Sequence, residues 1–93
     1  MRIKITTVGA LTHSLPGGKE VIEGQGFTVQ EMLAELVNKH GTVLAEELLE
    51  DGQMRQGLAL LVNGRNVLSL PDKFQTPLKD GDEVIITIFV AGG

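Results

Sequence analysis

The chain contains no cysteine, and this absence excludes several classes of protein. Without a thiol the chain cannot form a disulfide framework, bind a metal or an iron–sulfur cluster through thiolates, or use a cysteine nucleophile. It also lacks an apolar run of signal-peptide length at its N-terminus and an apolar stretch long enough to span a bilayer. We therefore expect a cytoplasmic protein, in which disulfides are rare, without a membrane partner.

Aromatic side chains and clustered positive charges are scarce as well. The chain has no Trp or Tyr, three Phe and a net charge of −4, and its eight Lys and Arg residues form no run. Nucleic-acid binding needs clustered cations for the phosphates and benefits from aromatic side chains that stack on the bases. We therefore expect no nucleic-acid partner.

Groups that could perform catalysis are few. His13 and His40 are far apart in sequence, and neither Ser14 nor Ser69 has a base near it. We expect His40 to interact with a helix C-terminus rather than with a metal. A chain of 93 residues forms a single domain, 1–93, with little room for a deep substrate cavity. These observations predict a chain that is not an enzyme and binds no metal or cofactor.

The hydrophobic pattern begins with two predicted strands. Ile3 and Ile5 alternate with polar residues within 2–8, which is typical of a half-buried strand. Pro16-Gly17-Gly18 favours a turn, and residues 19–23 then form the returning strand of a hairpin.

The clearest predicted element is a helix that begins at a capping box. Thr28 is the N-cap and Glu31 follows three residues later, while Phe27 and Met32 occupy the positions of a hydrophobic staple. Gly41 stands where helices often end. The apolar residues of this segment recur at helical spacing along one face: Val29, Met32, Leu33, Leu36 and Val37.

Shorter elements fill the second half of the chain. Residues 43–50 predict a short second helix, and 58–62 is an apolar run of strand length. Asn63-Gly64 is the strongest hairpin dipeptide, so 65–68 is predicted to return as a strand. The last strand is predicted over 83–90.

This order of elements predicts an α+β domain in which a mixed sheet carries the main helix across one face. A right-handed crossover places the last strand in the middle of the sheet, beside the first. Apolar residues on both faces of the last strand fit this central position. Val84, Ile86 and Ile88 are expected to face the helix, which leaves Ile85 and Phe89 on the opposite face.

These features resemble the MoaD/ThiS family of ubiquitin-like, or β-grasp, sulfur carriers. The element order matches over the whole chain, the Val62-Asn63-Gly64 hairpin resembles the family's strand-turn signature, and residues 78–84 (LKDGDEV) are similar to its L-x-D-G-D-E-V segment. The final Ala91-Gly92-Gly93 completes the resemblance, and the length is closer to MoaD-like members. The resemblance implies a β-grasp sheet of four to five strands with one main helix, a short second helix and a flexible tail at 91–93.

The resemblance also implies the chemistry. In this family an E1-like adenylating enzyme uses ATP to activate the C-terminal carboxylate, and a persulfide donor then converts it to a thiocarboxylate. That role falls on Gly93, with Gly92 as a neighbour whose missing side chain keeps the tail thin. The acceptor would be a molybdopterin precursor, and the chain would be the small subunit of molybdopterin synthase beside a MoaE-like large subunit.

A carrier of this kind also needs a docking surface. We expect partner enzymes to contact Ile85, Phe89, Val90 and Ala91, because a domain with one main helix leaves one sheet face uncovered. The alternative is that the short second helix or the segment 66–77 covers that face.

Several functions share this activation chemistry, and the sequence leaves them open. The chain could be a ubiquitin-like modifier joined to lysines of other proteins through Gly93. It could also carry sulfur for thiamine, cysteine, a tungsten cofactor or tRNA thiolation, because Ile88-Phe89-Val90 stand where MoaD-like tails often carry prolines. A third class is an interaction module with an inert tail, whose function would survive deletion of Gly92-Gly93.

Overall fold

The computed structural model describes residues 1–8, 18–51 and 53–88, apart from the side chains of Val43 and Ile88. Two 3-10 helices, Val67–Ser69 and Lys73–Gln75, connect the last two strands. The other elements in chain order are β1 (Arg2–Thr7), β2 (Lys19–Glu23), α1 (Val29–His40), α2 (Thr42–Leu48), β3 (Leu49–Glu50), β4 (Gln53–Met54), β5 (Leu58–Val62), β6 (Arg65–Asn66) and β7 (Glu83–Ile88).

Five of the strands form one mixed sheet in the order β2-β1-β7-β5-β6. The last strand, β7, lies in the middle, parallel to β1 and antiparallel to β5. This confirms the predicted central position of the last strand. The hairpin of β1 and β2 is confirmed as well, with Arg2 opposite Glu23 and Thr6 opposite Lys19, although its predicted turn at 16–17 lies outside the described residues.

The main helix, α1, begins and ends where the sequence predicts. The hydroxyl of Thr28 accepts a hydrogen bond from the Glu31 N–H at 3.2 Å, and the Thr28 N–H donates to the Glu31 carboxylate at 2.9 Å. At the other end Gly41 has a φ of 82°, which a side chain would strain, and its N–H donates to the carbonyl of Val37. The helix therefore starts at a capping box and stops at a glycine.

One hydrophobic core lies between the sheet and the helices. Ile3 and Ile5 of β1 and Val84 and Ile86 of β7 are fully buried on the face that α1 covers. The same cluster contains buried side chains from the helices: Val29, Met32, Leu33, Leu36, Leu44, Leu48 and Val67. The predicted apolar stripe of α1 is thus confirmed as the helix face that packs on the sheet.

The return strand after Asn63-Gly64 is shorter than predicted. Both turn residues have positive φ, 51° and 85°, as a two-residue hairpin requires. The prediction of a strand over 65–68 is wrong beyond Asn66, where β6 ends. The Asn66 side chain accepts a hydrogen bond from the Leu68 N–H at 2.9 Å, and the Ser69 hydroxyl donates to the Asn66 carbonyl at 2.7 Å. These local bonds favour a 3-10 turn over further strand pairing.

The predicted second helix over 43–50 is wrong beyond Leu48, where α2 ends and a second hairpin, β3–β4, begins. Leu49 pairs with Met54 and Glu50 with Gln53, and Asp51 in the turn has a φ of 54°. Each strand has only two residues, which is too short for an alternating pattern to appear in the sequence.

Glu20 of β2 ties the end of α1 to the sheet. Its carboxylate contacts His40 Nε2 at 2.5 Å and Lys39 Nζ at 3.4 Å. His40 therefore lies in the last turn of α1, as expected, and pairs with a neighbouring strand as well. Burial raises the pKa of Glu20, but the hydrogen bonds from His40 and the Val21 N–H and the charge of Lys39 together hold that pKa below its ordinary value.

We expect Glu20→Gln to lower the free energy of unfolding at neutral pH and to have less effect in acid. A carboxyl group with a lower pKa in the folded state stabilises the fold above its unfolded pKa, and this stabilisation is lost as the pH falls through the folded pKa. Urea unfolding of both proteins at neutral and acidic pH measures the difference. A difference that stays constant into acid would contradict this role of Glu20.

Candidate functional site

The candidate C-terminal site follows directly from the central strand. β7 ends at Ile88, which pairs with Leu58 at the start of β5. The described part of β7 therefore ends beside the start of β5, which follows the 53–57 segment. Five predicted site residues lie outside the described residues: Phe89, Val90, Ala91, Gly92 and Gly93.

Of the four predicted docking residues, Ile85 lies within the part of the chain that the structure describes. It is half-buried on β7, between Thr6 of β1 and Leu61 of β5. Because side chains alternate along a strand, it lies on the sheet face opposite to that of the buried Val84 and Ile86. We call this side, away from α1, the outer face. Its central residues are Thr6, Val8, Ala59, Leu61, Ile85 and Thr87.

The two segments that could have covered the outer face pack on the other side of the sheet. Leu44 and Leu48 of α2 belong to the core cluster beneath α1, and so does Val67 at the start of the 66–77 segment. Val8, at the end of β1, remains 43% exposed. Among the described residues these segments therefore do not cover the outer face, where Leu61 and Ile85 are half-buried and Ala59 is 8% exposed; the docking surface stays a prediction.

Charged side chains surround this apolar centre. By strand register Arg2 and Lys4 of β1, Lys19 and Glu23 of β2 and Glu83 of β7 share the outer face. Arg2 and Glu23 form an exposed ion pair at 3.2 Å, and Lys4 lies opposite Glu83. The third cation, Lys19, lies in the same row of the sheet as Thr6 of β1 and Ile85 of β7, and both of these residues are uncharged. Sequence reasoning missed this rim, because only the register brings residues so far apart in the chain onto one surface.

Asn63, Asp80 and Asp82, which belong to the two motifs that resemble the family, make structural hydrogen bonds in this protein. Asp82 accepts hydrogen bonds from the Lys79 N–H at 2.8 Å and from the Asn63 side-chain amide at 3.0 Å. The side-chain oxygen of Asn63 in turn accepts from the Glu83 N–H at 3.0 Å, and Asp80 accepts from the Arg2 N–H at 2.7 Å. The turn before β7 is thus fastened to the β5–β6 hairpin and to the start of β1.

We expect Asp82→Ala to lower the free energy of unfolding by about 1–2 kcal/mol, because it removes two hydrogen bonds to a charged group at an exposed site. Asp72→Ala is the matched control, since Asp72 is exposed and makes no side-chain capping bond. Chemical denaturation of both variants measures the effect. Equal stability of the two variants would show that the Asp82 bonds contribute nothing.

The described residues contain no group of three or more His, Asp or Glu side chains placed to hold a metal ion. In the same part of the chain, no helix combines the length and apolar character that crossing a membrane requires.

Comparisons with known proteins identify the family. The model of the ThiS family matches residues 6–93. A candidate sulfur carrier protein of Archaeoglobus fulgidus is 35% identical over 83 residues, which cover 89% of this chain and 93% of that protein. The solution structure of small archaeal modifier protein 1 from Methanosarcina acetivorans superposes with a TM-score of 0.80 at 25% identity, covering 99% of this chain and 96% of that one.

A second solved structure bears on the fold alone. The molybdopterin converting factor subunit 1 of Pyrococcus furiosus superposes with a TM-score of 0.72 at 22% identity, over 96% of this chain and 98% of that one. The five-stranded mixed sheet with its main helix and short second helix is therefore the ubiquitin-like β-grasp fold, as predicted. The chain belongs to the ThiS family, a group of small ubiquitin-like sulfur carriers and modifiers.

Proposed function

We propose that this chain is a sulfur carrier whose Gly93 carboxylate is activated and converted to a thiocarboxylate. The observation that carries the proposal is the position of Gly92-Gly93, which follow the end of the central strand at Ile88 by a few residues within a family match that runs to residue 93. A glycine pair only a few residues beyond the central strand is close enough in sequence for a partner that holds the domain to reach the terminal carboxylate.

The chemistry requires a partner enzyme. An α-carboxyl group has a pKa of about 3.3–3.7, so at cellular pH it is an anion and a poor electrophile. An E1-like adenylating enzyme would use ATP to form the acyl-adenylate of Gly93 and release pyrophosphate. A persulfide donor would then displace AMP, and reductive cleavage of the resulting acyl disulfide by a thiol would leave the thiocarboxylate. The chain itself binds no cofactor and performs no catalysis in this scheme.

The outer face is the surface by which partners would hold the carrier. Ile85 provides an apolar contact, and Phe89, Val90 and Ala91 would extend that contact towards the active site of the partner. Lys19 at the rim favours a partner surface that carries carboxylates, because complementary charges guide association.

For the pathway, we propose sulfur transfer to a molybdopterin precursor, with the chain as the small subunit beside a MoaE-like large subunit. The fold of the Pyrococcus protein supports this choice. The likeness to the Methanosarcina modifier favours a second candidate function, conjugation of Gly93 to lysines of other proteins. Carriers for thiamine, cysteine, tungsten cofactor or tRNA thiolation would use the same first step.

The proposal is tested by adenylation with an E1-like enzyme from the same organism. We expect the chain to support exchange of labelled pyrophosphate into ATP, and we expect exchange to cease when the C-terminus is converted to an amide. Exchange that persists with the amidated chain would mean that another group is activated. Mass spectrometry of cell extracts then separates the two candidate functions, since a modifier predicts lysine-linked adducts that contain Gly93.

A further inference from the structure

A half-open cleft lies at the edge of the sheet beside β5, and one of its lining residues, Ala59, also belongs to the outer face. Its volume is about 660 Å³. β6 pairs only with Leu61 and Val62 of β5. Among the described residues, the first three residues of β5 therefore have a strand partner only on the β7 side, and the cleft lies at their other edge. No pattern in the sequence indicates this space, because it depends on where the chain leaves the sheet after Asn66.

The walls of the cleft are mainly apolar. Leu68 is the most exposed large apolar side chain among the described residues, with 61% of its surface accessible. Its position is fixed by the hydrogen bond from its N–H to the Asn66 side chain. Other apolar side chains that line the cleft are Met54, Leu58, Val67 and Phe74, and its polar rim contains the amides of Gln30, Gln53, Gln56 and Asn66.

Of the described residues that line the cleft, Arg55 alone has a charged side chain. One of its guanidinium nitrogens donates to the carbonyl of Glu46 at 3.0 Å, which places Arg55 at the C-terminal end of α2. None of the ion pairs among the described residues involves Arg55. A guanidinium has five N–H donors, so this contact leaves most of them for another acceptor. The chain has a net charge of −4, but among the described residues the lining of the cleft contains a cation and no carboxylate.

We propose that this cleft binds a small amphiphilic anion, with its apolar body against Leu68 and Phe74 and its anionic group at Arg55. The volume lies within the range of about 300–1,000 Å³ that is common for small-ligand sites, and apolar walls with a few polar groups are their usual lining. The charge of Arg55 selects an anion over a neutral molecule of the same shape. The proposal does not depend on the function proposed for Gly93.

Two fluorescent probes of the same shape test the proposal on the full chain. 8-Anilinonaphthalene-1-sulfonate has an apolar body and one sulfonate, and N-phenyl-1-naphthylamine is its neutral counterpart. We expect saturable binding of both, with the sulfonate binding at least about threefold tighter, as an exposed charge pair permits. Failure of either probe to saturate, or equal affinity for both, would overturn the proposal.

Matched variants locate the bound probe. We expect Arg55→Gln to abolish the preference for the sulfonate and Arg55→Lys to retain part of it. Arg65 of β6 pairs with Val62 at the far end of β5 and lies outside the lining, so Arg65→Gln should leave the preference unchanged. Loss of the preference in Arg65→Gln as well would show that general charge, and not Arg55, attracts the anion. Urea unfolding of the three variants separates this role of Arg55 from its contact with α2.

The apolar wall is tested in the same way. Leu68→Ser should weaken both probes, whereas Val8→Ser, at an exposed apolar residue of the outer face, should weaken neither. The opposite result would place the probe on the outer face and refute the cleft. Sedimentation at the same protein concentrations tests whether a second copy of the chain occupies the cleft. A dimer that dissociates as the probe binds would assign the cleft to that second copy.

Discussion

Deletion of Gly92-Gly93 is expected to abolish activation by an E1-like enzyme while leaving the free energy of unfolding unchanged. The deletion moves the terminal carboxylate back along the chain by two residues, or about 7 Å of extended chain, which places it out of reach of an adenylating active site that accepts the full tail. The buried core, which determines stability, ends with Ile86 among the described residues. Pyrophosphate exchange and urea unfolding of the same samples measure the two effects.

A chain of full length with an amidated C-terminus is the control for this deletion. It keeps both glycines and lacks only the ionisable carboxylate, so it should be equally inactive if the carboxylate is the reacting group. Normal activation of the deleted chain would show that activation does not need the two glycines. An inert interaction module predicts instead that neither the full chain nor the deleted chain is activated. A large loss of stability on deletion would show that the tail belongs to the fold.

Two neighbouring residues of β7 are expected to respond in opposite ways to the same substitution. Ile86 is fully buried, so Ile86→Asp places an unpaired carboxylate in the core and costs roughly 4–5 kcal/mol or more, a large part of the stability of a small domain. Ile85 is half-buried on the outer face, so Ile85→Asp should leave the chain folded. We expect it to weaken binding of the activating enzyme by about tenfold, or 1.4 kcal/mol.

Ala34→Asp supplies the matched control, because it adds the same charge on the exposed side of α1. Circular dichroism reports folding, and titration calorimetry with the activating enzyme reports affinity. An Ile85→Asp chain that is folded and binds as tightly as Ala34→Asp would remove Ile85 from the docking surface. An unfolded Ile85→Asp chain would show that the outer face is part of the core.

Much of the fold could be predicted because the informative residues act locally. The capping box of Thr28 and Glu31 and the turn at Asn63-Gly64 depend on residues close in sequence, and the structure confirms both. The central position of β7 could be predicted for another reason. The handedness of crossovers and the apolar character of both strand faces leave few arrangements for a last strand of this kind.

The features that sequence reasoning missed depend on contacts between distant residues. The sequence predicts a strand that continues beyond Asn66, but the Asn66 side chain accepts a hydrogen bond from the Leu68 N–H, and the strand ends there. The early end of β6 is also what leaves the first residues of β5 without a partner at the cleft. Arg55 and Lys19 are ordinary surface cations in the sequence. Arg55 matters because the described lining of the cleft contains no carboxylate. Lys19 matters because strand register places it in a row of uncharged residues on the outer face.

Alkylation of the protein isolated from its native host tests the central claim most directly. No side chain of this chain is a thiol, so a thiol-directed reagent can react with a thiocarboxylate at Gly93 without competition from cysteine. The label must be mapped to the C-terminal peptide, because oxidation of Met1, Met32 or Met54 changes the mass by nearly as much as replacing oxygen with sulfur. The account predicts a label on Gly93. Absence of label after incubation with a competent activating enzyme, ATP and a sulfur donor would contradict it.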